Sequence, residues 1–165
     1  MTAKHVPQST AGIDPEKFSD DLFFASNPKI AAAILCLFLL VGLGLRMNGL
    51  GAESLGEDEL NKLQTVEEYR NNGLSGKNGE HPFLMKGMQT ASISAAERIN
   101  SSFGTAITEE GALRFPVALF GTFTALLLFF LVKELFGRSI GLITAILWSV
   151  EPMAVGFDRI AVRAR

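Results

Sequence analysis

Residues Phe115 to Val132 read FPVALFGTFTALLLFFLV, a run without a single charge. A helix crossing a hydrocarbon core of ~30 Å needs roughly 20 residues, and this run reaches that length with its flanks. Two further runs resemble it. Ile30 to Leu45, IAAAILCLFLLVGLGL, is also uncharged, and Ile140 to Phe157, IGLITAILWSVEPMAVGF, carries one carboxylate, Glu151. Hydrophobic residues make up 48% of the 165-residue chain, a share that a soluble protein also reaches, so their distribution decides the class. Buried core helices would need amphipathic sequence to cover them, and three such runs leave too little of it. The chain is therefore expected to be an all-α integral membrane protein with three transmembrane helices, over 29–47, 115–133 and 140–158.

The charges lie between the runs. Net charge is −2, which gives no basic surface for nucleic acid. The single cysteine, Cys36, lies inside the first run and has no internal partner for a disulfide. The first run begins behind an acidic tail and lacks a convincing small-x-small cleavage site, so it reads as an uncleaved span. Within the tail, residues 1–28, the stretch Asp14 to Phe24 suggests a short helix with Asp14 as N-cap; a plain tethered tail is the simpler reading.

The second and third runs are joined by a short turn, 134–139, flanked by Lys133 and carrying Arg138. The positive-inside rule places it in the cytoplasm. The amino terminus then shares that side, in agreement with Lys17 and Lys29, while Arg46 just past the first run dissents. Residues 48–114 fall on the extracytoplasmic side, with a bacterial inner membrane as the expected home. Two amphipathic surface helices are predicted in this loop. One covers about 58–70, with Leu60, Leu63 and Val66 near one face. The other covers about 84–102, where Met85, Met88, Ser92, Ala95, Ile99 and Phe103 recur at helical spacing. Glycines 42, 44, 121 and 141 would let helices approach closely, and the last two spans should form a tight antiparallel hairpin. The end of the chain, 159–165, reads as truncated.

Several short elements stand in a telling order on this topology. Asp58-Glu59 opens the first surface helix. His81-Pro82-Phe83-Leu84-Met85-Lys86 follows, then Arg114-Phe115-Pro116-Val117-Ala118-Leu119-Phe120-Gly121 at the start of the second span. Leu135 to Arg138 forms the cytoplasmic turn, and Glu151-Pro152 and Arg159-Ile160-Ala161 close the third span. This series resembles the amino-terminal part of the protein O-mannosyltransferases and their bacterial relatives, including the aminoarabinose-lipid transferases, which are GT-C glycosyltransferases. The resemblance covers roughly residues 30 to 162. It departs where the family usually has an acidic residue shortly after Arg-Ile-Ala, because Val162, Arg163, Ala164 and Arg165 stand here. Family members also carry many more spans, so the chain reads as a partial GT-C fold.

The resemblance implies an enzyme that moves a sugar, expected to be mannose-like, from polyprenyl phosphate to a protein or lipid hydroxyl. A hydroxyl is a poor nucleophile and needs a base, and the departing lipid phosphate needs a cation. The resemblance makes Asp58 the candidate catalytic base, with inversion at the anomeric carbon. Lys86, Arg114 and Arg159 are candidates to hold phosphate, with Mg2+ or Mn2+ as a possible aid. Glu59 and His81 are candidates to position acceptor or donor. Each has a plainer reading. Asp58 would cap its helix, Glu59 would be a solvated or pairing neighbour, His81 would be a loop residue, Lys86 would snorkel, and Arg114 would anchor the interface. Glu151 is an intramembrane acid near a span end. Asn100-Ser101-Ser102 fits a glycosylation sequon by chance. No phosphate-cradling glycine loop and no Gly-x-Ser-x-Gly occurs. His5, His81 and Cys36 cannot form a zinc cluster across compartments. The rival reading is a non-catalytic membrane subunit or remnant that partners a related membrane protein.

Overall fold

The computed structural model of the chain describes residues 26–73 and 83–159. The suggested tail helix, His5, Lys17, His81, Pro82 and the Ile160-Ala161 element lie outside them. Among the described residues all regular structure is helical. The first span is α1, Pro28–Met47; Asn27 caps it by accepting from the Lys29 amide at 3.0 Å, and Pro28 needs no amide partner in the first turn. The loop helices are α2, Glu57–Asn72, and α3, Phe83–Phe103. The second span is α4, Glu109–Phe136, capped by the Thr108 hydroxyl, which accepts from the Gly111 amide.

Two helices, α1 and α4, are each long and apolar enough to cross a membrane. The third expected span, 140–158, is not one continuous helix. It consists of α5, Arg138–Val150, and α6, Pro152–Asp158, which meet at a bend of 58° and count as a third span only if taken together. Pro152 is the cause. It has no amide proton to give to the Trp148 carbonyl, and Glu151 before it is extended at ψ 121°. The Glu151 carboxylate then caps α6 by accepting from the Ala154 amide, which gives this acid a structural post. The turn expected over 134–139 narrows to Gly137, whose φ of 91° suits glycine.

The three membrane elements pack together around Ala31, Leu35, Phe129, Leu142 and Ala145. Leu40, Leu131 and Leu147 stay more than half exposed, the outward face that lipid would cover. Arg138 donates to the Ser26 carbonyl, so the start of α1 lies at the same end as the turn between α4 and α5. A second cluster, Val66, Ile93, Ala96, Ala112 and Leu113, fastens α2 and α3 to the beginning of α4.

The buried side of α3 differs from the expected one. Lys86, Gln89, Ile93 and Ala96 are buried, one residue on from the predicted stripe, while Phe103 of that stripe is 78% exposed. The reason lies in α4. Pro116 leaves the Ala112 carbonyl without its helical donor. The Ser92 hydroxyl supplies one at 2.7 Å, and the Gln89 amide donates to the next carbonyl, Leu113, at 3.3 Å. Hydrogen bonding to a proline-interrupted helix, rather than apolar periodicity alone, sets the rotation of α3. Leu60 of α2 likewise faces outward, at 47% exposure.

Gly141 touches α4 so closely that a Cβ there would lie 2.8 Å from the Phe129 carbonyl oxygen and 2.9 Å from the Lys133 nitrogen. A Cβ at Gly44 would meet nothing within 4 Å, so the close approach expected there is absent. Gly141→Val should therefore open the α4–α5 hairpin and cost ~1–3 kcal/mol. Gly44→Ala should change stability by less than ~1 kcal/mol. Thermal unfolding of the two variants in detergent checks the contrast.

Candidate functional site

Asp58, Glu59, Arg114 and Arg159 lie at the end of the helices opposite Gly137. The short segment from Asn48 to Gly56 leaves α1, runs over the start of α4 and enters α2. Arg114, in the second turn of α4, holds this segment from beneath. Its Nε and one terminal nitrogen each donate to the Glu59 carboxylate at 2.8 Å. The remaining protons go to the carbonyls of Leu50 at 2.7 Å, Glu53 at 3.0 Å and Ser54 at 3.2 Å. All five N–H groups of the guanidinium are thus engaged. Both side chains of the ion pair are almost fully buried, at 5% and 2% exposure.

This geometry gives two of the candidate residues partners within the chain. Arg114, expected at a phosphate, spends its donors within the chain. Glu59, expected to position acceptor or donor, also accepts from the Gly56 amide at 3.0 Å and so serves the start of its own helix. Glu59 is buried rather than solvated, and the arginine it pairs with lies 55 residues along the chain. Asp58 is not the N-cap, a place taken by Gly56. It stands at the second position of α2 with its side chain exposed. One turn further on, burial holds the Lys62 ammonium below its usual pKa, against the opposing pull of Asp58 and Glu59.

Lys86 is buried at 4% exposure, and its ammonium stands 5.8 Å from the centre of the Tyr69 ring, a cation–π contact between α3 and α2. Arg159 follows α6 directly, and its guanidinium lies beside Gly49, where a Cβ would come within 3.2 Å of it. Gly49 also lines an apolar groove of about 520 Å³ between α3, the Asn48–Gly56 segment and the start of α4. Leu50, Ala95, Ile99, Ile107 and Phe115 form much of its wall. Among the described residues no group of three His, Cys, Asp or Glu side chains gathers that could hold a metal ion.

Sequence reasoning missed a second ion pair, buried on its arginine side. Arg46, the dissenting cation at the end of α1, is fully buried and donates to Asp158 Oδ2 at 2.7 Å. A clue was present in the acid that closes the apolar 140–157 run, opposite a lone arginine at the matching end of the first span.

Residues 101–162 match the family model for dolichyl-phosphate-mannose-protein mannosyltransferase. The likeness covers 62 of the 165 residues. Comparison with curated proteins and with solved structures gives no match. The matched segment runs from the end of α3 through α4 and both arms of the bent span. It includes Arg114, Asp158 and Arg159, whereas Asp58 and Lys86 lie before it. The Glu59–Arg114 pair joins the two parts.

Removing one partner of a buried ion pair costs about 3–5 kcal/mol. Arg114→Met should cost more than Glu59→Gln, since it also orphans three carbonyls. Adding Glu59→Met to Arg114→Met should recover only part of the loss. A double-mutant cycle on unfolding in detergent measures each term.

Proposed function

We propose that this chain forms the amino-terminal part of a membrane glycosyltransferase that takes a sugar, mannose or a close relative, from polyprenyl phosphate. The acceptor is a protein or lipid hydroxyl on the extracytoplasmic side. The family match carries this reading, because the matched segment contains Arg114, and Arg114 is the residue that docks the Asp58 end of α2 against the spans. An apolar groove beside the Arg159 guanidinium adds support, since a lipid phosphate has one apolar and one anionic part.

In this reading Asp58 takes the acceptor hydroxyl proton as the new bond forms at the anomeric carbon. The bond from that carbon to the phosphate oxygen breaks on the opposite face, with inversion. The lipid phosphate leaves with the bonding electrons, and Arg159 is the cation offered to it; Lys86, buried against Tyr69, is the second candidate. Arg114 acts by holding the start of α2 rather than by touching phosphate. His81 remains a candidate to position the acceptor.

Asp58→Asn should lower sugar transfer about 10²–10⁴-fold while leaving folding intact, because the side chain is exposed. The assay uses membranes holding the protein as its gene encodes it, with polyprenyl-phosphate sugar as donor. Undiminished transfer by the variant would reject the assignment.

Orientation is tested separately in a Cys36→Ala background. A cysteine at Leu60 should react with an impermeant thiol reagent from outside the cell, and one at Glu134 only after the membrane is opened. The reverse pattern would place Asp58 in the cytosol and remove the reading.

A further inference from the structure

We propose that Arg46 is a positioning residue: from the end of the first span it holds the angle of the bend that Pro152 opens in the third, and through that bend the place of Arg159. The consequence for sugar transfer rests on the function proposed above; the structural claim does not.

Pro152 and the extended Glu151 end α5 early and leave the carbonyls of Trp148 and Ser149 without their usual donors. Both face Arg46. Its guanidinium donates to Ser149 at 2.9 Å and to Trp148 at 3.3 Å, and one nitrogen also reaches Gly42 of its own helix at 3.2 Å. The same planar group pairs with Asp158, the last residue of α6. One side chain therefore grips both arms of the bend, the carbonyl end of α5 and the carboxylate closing α6. A cation at a helix carboxyl end also meets the negative pole of the helix dipole.

The surroundings are shaped to this grip. A Cβ at Gly42 would come within 2.9 Å of the Ser149 carbonyl oxygen, and one at Gly121 would overlap the Asp158 carboxylate. Trp148 Nε1 donates to the Gly121 carbonyl at 3.2 Å, which ties the end of α5 to α4 at the same level. Arg159 is the next residue after Asp158, so fixing Asp158 fixes the backbone from which Arg159 reaches Gly49. A lysine cannot replace the fork, because one ammonium lacks the spread of donors needed to span both arms.

The test uses the whole protein in a Cys36→Ala background, with spin labels at Leu45 and Phe157, both exposed. Pulsed EPR should give a narrow distance distribution with Arg46 present. Arg46→Leu should broaden or shift it, and Arg46→Lys should do the same despite keeping the charge. A parent-like distribution in either variant would overturn the proposal; if Arg46→Leu does not fold, Arg46→Lys decides. In the transfer assay, Arg46→Lys should raise the donor KM about tenfold, the effect of one charged hydrogen bond, with kcat changed less. An unchanged KM with altered EPR distances would remove the link to Arg159 and leave only the bend. A parent protein that transfers no sugar would fail the function reading, and the EPR distances would still decide the structural one.

Discussion

Two prolines in apolar helices leave backbone carbonyls without donors, and the structure is arranged around satisfying them. Within lipid no water is at hand, and an unsatisfied group costs several kcal/mol. Pro116 exposes the Ala112 carbonyl, which the Ser92 hydroxyl meets from α3. Pro152 exposes the Trp148 carbonyl, which Arg46 meets from α1. Each donor comes from a different element, so each proline decides which neighbour must dock beside it. The surface helix is thereby fixed in rotation on the second span, and the first span is fixed against the bent third.

The Glu59–Arg114 pair acts on the same principle with a different acceptor set. A buried ion pair often gains little over well-packed apolar residues, since desolvation offsets much of the attraction. The three backbone carbonyls around Arg114 point to placement as its main contribution. They fasten the segment after α1, and Glu59 fastens the start of α2. Asp58 is left projecting from a rigid base with its own carboxylate uncommitted to the cap.

These attachments bring different chemistry to one end of the helices. An exposed acid stands at the start of α2, and a guanidinium lies beside Gly49 at the edge of an apolar groove. The family match covers α4, both arms of the bent span and Arg159, while the acid and the first span lie outside it. The link between the matched segment and the acid is physical, through Arg114. That link is why the resemblance, spread thinly over short elements, describes a connected arrangement and not a set of isolated motifs.

The chain's own residues were enough to read the helical membrane class, the three apolar runs and the two loop helices, because composition and length set what can cross or lie on a bilayer. The hairpin at Gly137 and the approach at Gly141 were legible for the same reason: a short link and a missing side chain act locally. The bend at Glu151-Pro152 was written in the sequence yet was read as a motif within one continuous span. The partners of Arg46, Arg114 and Ser92 were beyond sequence reading. Each bonds to groups 20 to 112 residues away, mostly backbone carbonyls that carry no residue-specific signal. Only folding brings a given carbonyl to a given donor, and so only the tertiary structure could separate arginines that hold the frame from the one left beside the groove.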